Sequence, residues 1–156
     1  MTLRGWTFLF LSTALGIVRP TSAASDETSP STPPRAQWHG TQGGMRAFSV
    51  RAIRANADWI SLWKQIGREA PQAFDEAHDM AVAIFIGERR TGGYGVEIVG
   101  TRPGDDRLIV EFRETTPAPD AMVTQALTTP WAVALVPRST ATVVAHPADA
   151  PPAQQP

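Results

Sequence analysis

A glycine-rich stretch, residues 87–95, separates two apolar segments and constrains the fold of this chain more than any other feature. The flanking segments, residues 81–86 and 94–99, have the composition and alternation of β-strands. Two adjacent glycines, Gly92 and Gly93, can adopt the positive φ angles that a tight hairpin turn requires. The sequence therefore predicts a β-hairpin here, in a fold dominated by antiparallel sheet.

A strand and then a helix precede this stretch. Residues 46–53 alternate apolar and polar side chains, as a half-buried strand does. Asn56 is a favourable N-cap residue, and Gly67 marks a helix end. Between them, four apolar residues fall on one helical stripe: Trp59, Leu62, Trp63 and Ile66. We expect the two tryptophans to pack in the core, with stacking on a carbohydrate as the alternative.

The strands that follow complete the predicted fold. Residues 94–99 and 108–113 alternate in polarity around a turn at 104–106, so we expect an antiparallel meander with residues 81–86. Residues 131–136 and 140–145 should form the closing strands after an irregular, proline-containing connection. The predicted class is α+β, a mostly antiparallel sheet of about five to six strands with one N-terminal amphipathic helix packed on it.

The ends of the chain indicate export. A basic residue, a short apolar run at 5–18 and small residues up to Ala23 are typical of a secretory signal peptide. We expect cleavage near Ala23, with an uncleaved membrane anchor as the alternative. A Ser/Pro-rich leader (24–44) and a Pro-rich tail (147–156) should be disordered around a domain at 45–146. The predicted location is the bacterial periplasm or the exterior, with no stable membrane anchor after cleavage.

Composition excludes several kinds of function. The formal net charge is −1, and removal of the two arginines of the signal peptide leaves 12 basic against 15 acidic residues. No basic field therefore points to nucleic acid. The absence of cysteine removes disulfides, thiolate catalysis and cysteine-based zinc sites.

The remaining residues predict no catalytic, cofactor or metal site. Gly87 and Gly92 have the glycine spacing of a P-loop, but Gly93 and Tyr94 replace its lysine and hydroxyl residue. The three histidines show no zinc-binding spacing, and two of them are expected in or beside the flexible ends: His39 and His146, with His78 in a loop. A Ser-His-Asp triad gathered from distant positions stays an open alternative. The predicted protein is not an enzyme and carries no cofactor.

Several motifs in order give the chain a family resemblance. The two most specific are TGGY at 91–94 and TQALTTPW at 124–131; the series starts near Asp58 and ends at Pro137. From about residue 57 to 137 the chain resembles the C-terminal domain of the protease-complex subunit PrcB family. That resemblance implies a non-catalytic accessory role in assembling or stabilising an exported protease. The proline-rich tail and the missing lipoprotein cysteine depart from the family pattern.

Together the motifs define an expected interaction surface for an exported protein, such as a secreted or periplasmic protease. Eight residues make up this surface: Arg89, Arg90, Thr91, Gly92, Gly93, Tyr94, Gln125 and Trp131. The leading hypothesis is a protein-binding or assembly module. The alternative is a peptidase inhibitor that inserts the hairpin at 91–94 into a protease cleft, because a rigid loop loses little entropy on binding.

Overall fold

Two stacked sheets and one helix make up the described part of the chain. The computed structural model describes residues 30–148, so the predicted signal peptide and most of the predicted tail lie outside it. In chain order the elements are β1 (Ala36–Gly40), β2 (Phe48–Ile53), α1 (Asn56–Ile66), β3 (Asp79–Ile86), β4 (Gly95–Pro103), β5 (Arg107–Thr115), β6 (Trp131–Pro137) and β7 (Thr142–Pro147). The α+β class is confirmed, while the seven strands exceed the expected five to six.

The strands divide between a four-stranded and a three-stranded sheet. The first has the order β1-β6-β3-β2 and is antiparallel throughout. In the second, β4-β5-β7, the β4–β5 hairpin turns at 104–106 as predicted, but β7 pairs with β5 in parallel. A parallel pair needs a long crossover, and here the chain passes through β6 of the other sheet between the two strands.

The four-stranded sheet is the middle layer, with α1 on one face and the smaller sheet on the other. Strand β3 alternates between the two cores: Ala81, Ala83 and Phe85 face the helix, and Met80, Val82, Ile84 and Ile86 face the second sheet. Strand β6 alternates in the same way, which explains why both strands are apolar along their whole length.

Helix α1 forms on the predicted stripe, and its four apolar residues are all buried. The prediction for its end is confirmed, since Gly67 caps it with φ of 78°. The prediction for its start is wrong: the N-cap is Ala55, whose side chain makes no cap bond. Instead, the carboxylate of Glu76 accepts a 2.8 Å hydrogen bond from the N–H of Asn56 and so supplies the missing acceptor.

The predicted hairpin between β3 and β4 is wrong, because these strands lie in different sheets. Both edges of β3 are already paired, with β2 and β6, so no edge is left for β4. Positive φ angles occur at Gly87 (84°) and Gly93 (85°), and Gly92 lies outside the positive-φ set. The glycine-rich stretch is therefore a connection between layers.

Part of the predicted disordered leader is folded. Strand β1 pairs with β6, and Trp38 on it contacts the rings of Trp59 and Trp63 at centroid distances of 5.7 and 5.6 Å. The disorder prediction is wrong for 36–40, because this strand is stabilised by tertiary contacts with distant residues. At the other end, Pro147 belongs to β7 and lies opposite Phe112, so the predicted tail begins one residue too early.

Candidate interaction surface

Two irregular segments join at one end of the molecule to form a single surface. One is the β3–β4 connection, residues 87–94, and the other is the β5–β6 connection, residues 116–130; together we call them the loop surface. The backbone groups of Arg89 and Thr128 exchange hydrogen bonds of 2.8 and 2.9 Å. The N–H of Gly92 donates to the carbonyl of Thr124 at 2.8 Å. The structure thus brings together two segments that the sequence placed in one candidate surface.

Side-chain hydroxyls add further hydrogen bonds where the two loops meet. The hydroxyl of Thr128, which is buried, donates to the carbonyl of Thr91 at 2.9 Å. The hydroxyl of Thr129 accepts from the backbone N–H groups of Gly43 and Gly44 at 2.9 and 3.0 Å. A third segment, 41–44, is therefore fastened to the loop surface, and irregular backbone is satisfied without regular pairing.

Gly93 is required by both conformation and space. Its φ of 85° lies in the left-handed region, which side chains disfavour. A Cβ atom there would lie 2.9 Å from Pro117 Cβ and from Val123 Cγ1. The positive φ expected at this glycine is thus present, but it serves to place one loop against the other and does not close a hairpin.

Arg89 holds the loop in place. Its guanidinium donates to the carbonyl of Ile86 and to the carboxylate of Glu114, both at 2.7 Å, and lies 5.5 Å from the ring centre of Tyr94. This side chain is only 27% exposed. The Arg89 side chain thus links β3 of one sheet to β5 of the other, whereas the neighbouring Arg90 is exposed.

The other six predicted surface residues range from exposed to fully buried. Gln125 and Gly93 are exposed, and Thr91, Gly92 and Tyr94 are half-buried. Trp131 was wrongly predicted to be part of the surface, because it is fully buried. Its indole packs beneath the loops against Gly40 and Gly43, where added Cβ atoms would lie 2.9 and 2.7 Å from its ring.

Sequence reasoning missed two exposed apolar residues on the loop surface. Met122 is fully exposed and Leu127 is 59% exposed. They are two of five large hydrophobic side chains that are exposed among residues 30–148. Their exposure could have been expected from the sequence. Both lie in a proline-flanked segment without helix or strand periodicity, so no regular element would turn them toward the core.

The titratable groups are scattered over the described residues. His39 lies on β1, so its predicted place in the flexible leader is wrong, and His146 lies on β7 of the other sheet. His78 contacts Asp75 at 2.9 Å, and this hydrogen bond holds the pKa of the Asp75 carboxyl below its ordinary value. Between residues 30 and 148, no three acidic or histidine side chains are placed to hold a metal ion. The same range contains no helix long and apolar enough to cross a membrane.

A family model described as PrcB C-terminal matches residues 80–137. This match supports a PrcB C-terminal domain in the chain. The matched segment runs from β3 to β6 and includes the whole loop surface, whereas α1 precedes it. No curated protein and no solved structure matches the chain. The family assignment indicates an accessory domain associated with a protease complex.

Proposed function

We propose that this chain is an exported, non-enzymatic protein-binding module of a protease complex, and that it binds its partner through the loop surface. The observation that carries the proposal is the exposure of Met122 and Leu127 on loops that are cross-linked by backbone hydrogen bonds. Large apolar side chains held at a surface are typical of protein interfaces.

The hydrogen bonds support binding because they reduce its entropic cost. Loops that order only on binding lose affinity for each side chain that they immobilise. Here Arg89, Gly92 and Thr128 already fix the two connections to each other. A partner would therefore meet a formed surface, with methionine supplying an adaptable apolar contact.

Exposed charges of both signs lie on the loop surface, with Glu88 and Arg90 on the first loop and Asp120 on the second. Arg90 is exposed at the centre of the first loop, while the neighbouring Arg89 is neutralised by Glu114. Charged side chains on a surface that also exposes Met122 and Leu127 give it the mixed apolar and polar character of an interface.

The geometry favours a binding module over a peptidase inhibitor. Residues 91–94 lie against Pro117, Val123 and Thr124, and do not form a projecting hairpin. A segment that fills a protease cleft must offer its backbone to the enzyme, yet Thr91 and Gly92 use theirs within the domain.

The decisive experiment captures exported proteins with the immobilised mature chain. We expect a protease subunit to be retained, and the double variant Met122→Ser/Leu127→Ser to retain at least about tenfold less of it, since a buried apolar anchor contributes 1–3 kcal/mol. Ile60→Ser is the matched control, because Ile60 is 53% exposed on the remote helix. Equal capture by the wild type and the double variant would refute the proposed surface.

A second measurement separates assembly from inhibition. The captured protease is assayed with and without a molar excess of the free chain. An accessory module should leave the activity unchanged or raise it and should increase the yield of assembled protease. A stoichiometric loss of activity would support the inhibitor and contradict the proposal.

A further inference from the structure

A groove opens where the free edges of the two sheets diverge. Strand β1 ends one sheet and β4 ends the other. The groove between them has a volume of about 420 Å³, within the range of binding clefts. Its lining combines one aromatic ring, several polar side chains and strand backbone: Gln37, His39, Thr41, Tyr94, Val96, Glu97 and Thr115.

Outside the groove, the edge of β4 already accepts extended chain. Thr32 and Thr101 exchange backbone hydrogen bonds of 2.7 and 2.8 Å in an antiparallel bridge. Farther along, the side-chain oxygen of Gln37 accepts from the N–H of Ile98 at 3.2 Å, in the place of a strand carbonyl. The protein's own residues therefore cover this edge from Ile98 to Thr101.

From Ile98 toward Gly95, the same edge of β4 continues into the groove. The β4–β5 register is regular from Gly95 to Ile98. In an antiparallel ladder, alternate residues direct both their N–H and C=O to the same side. Since Ile98 directs its N–H away from β5, Val96 directs its two backbone groups that way as well, toward the lining of the groove.

We propose that this groove binds an extended peptide segment of the partner protein, which adds to the edge of β4 beside Val96. This inference rests on the proposed function only in taking the ligand to be a protein. The groove adjoins the loop surface, since Gly93 and Tyr94 belong to both. Main-chain hydrogen bonds would supply affinity that depends little on sequence, as in other cases of strand addition.

The lining also sets a charge preference for the segment. Glu97 is an exposed carboxylate, and the groove contains no lysine or arginine among the described residues that line it. Arg113 lies opposite Glu97 on β5, so the positive charge of Arg113 partly offsets the negative charge of Glu97. Because Arg113 offsets part of this charge, we expect a segment with a lysine to bind only slightly more tightly than one with a glutamate, by less than about fivefold, the upper range of exposed ion pairs.

A direct test uses the single tyrosine of the chain as a probe. Tyr94 is the one tyrosine, so 3-fluorotyrosine labelling gives a ¹⁹F signal at the mouth of the groove. The probe ligand is a capped heptapeptide of alternating threonine and valine with a central lysine. We expect a saturable shift, and about three- to tenfold weaker binding after N-methylation of the central five residues, because the peptide N–H that donates to the Val96 carbonyl is lost. No shift, or equal binding of the methylated peptide, would overturn the inference.

A blocking variant distinguishes the groove from the loop surface. Thr41→Arg fills the groove, while the Thr41 carbonyl can keep its bond from Thr129. Thr140→Arg is the control, on an exposed loop outside the groove. If Thr41→Arg keeps its melting temperature and loses both peptide and partner, the groove is the site. If it binds normally while Met122→Ser/Leu127→Ser does not, the proposed function stands and the groove proposal fails.

Discussion

The helix layer and the loop surface are held to the rest of the molecule by different forces. Helix α1 is attached chiefly through four buried apolar residues, two of them tryptophans, in a cluster with Trp38 and Trp131. The loop surface contributes few buried side chains and is attached through backbone hydrogen bonds such as those between Arg89 and Thr128. Burial of large rings stabilises by several kcal/mol, whereas one hydrogen bond contributes about 1 kcal/mol net.

This difference assigns separate roles to the two regions. The helix layer supplies stability, and the four apolar residues of its stripe are turned inward. Met122 and Leu127 stay exposed on the loop surface, because backbone hydrogen bonds, and not these side chains, attach the loops to the rest of the domain. A region held by hydrogen bonds can therefore present apolar groups to a partner without losing its own position.

The largest expected effect is a loss of the helix layer in Trp63→Ala. Trp63 is 2% exposed and contacts the rings of Trp38, Trp59 and Trp131 at 5.3–5.6 Å. Truncation should lower the free energy of unfolding by about 3–5 kcal/mol, measured by urea denaturation. Ile60→Ala on the exposed face of the same helix should change it by less than about 0.5 kcal/mol. Similar values for the two variants would show that the helix is not held by burial.

The next effect tests whether the loop surface is rigid. Gly93→Ala combines a positive φ with contacts to Pro117 and Val123, so it should cost about 2–4 kcal/mol. Gly67→Ala has the same kind of φ but no atom within 4 Å of its Cβ, and should cost only about 1–2 kcal/mol. Thermal melts of both variants check the difference. If they melt alike, Pro117 and Val123 yield freely and the loops are not preorganised.

The contrast also explains what could be predicted from sequence. The helix, the apolar strands and the turn at 104–106 follow from local periodicity and turn residues. The β3–β4 hairpin was wrong because local turn signals cannot show that β2 and β6 occupy both edges of β3. Trp131 was misplaced for a similar reason: its burial depends on Gly40 and Gly43, about 90 residues away.

The two tryptophans of α1, Trp59 and Trp63, differ in whether their indole N–H is hydrogen-bonded, and this difference can be tested by mutation. The indole N–H of Trp59 donates to the carbonyl of Gln72 at 3.2 Å, whereas that of Trp63 has no partner among the described residues. Replacement by phenylalanine removes a bond in the first case and an unpaired donor in the second. Trp59→Phe should therefore cost about 1 kcal/mol more than Trp63→Phe in urea denaturation. The reverse order would indicate that Trp63 gains its stability from polar contacts.

A single hydroxyl tests the hydrogen-bonded attachment of the loops. Thr128→Val keeps the shape of a buried side chain but removes the bond to the Thr91 carbonyl. We expect a loss of about 0.5–1.5 kcal/mol and faster amide exchange at Gly92 and Arg89, with unchanged exchange in α1. Faster exchange throughout the molecule would mean that the loops and the helix layer unfold as one unit.

The smallest effect concerns the turn that leads into β3. Asp75 accepts hydrogen bonds from His78 and from the Ala77 N–H, and the pKa of its carboxyl is lowered from 3.8 chiefly by the bond to His78. A lowered pKa in the folded state means that the ionised form stabilises the fold above the ordinary pKa, and that this contribution is lost as the pH falls through the lowered value. Asp75→Asn should therefore melt slightly below the wild type at neutral pH, and the two should converge once the pH falls below the lowered pKa. A difference that persists at low pH would assign the effect to the shape of the turn, and the carboxylate charge would then have no part in it.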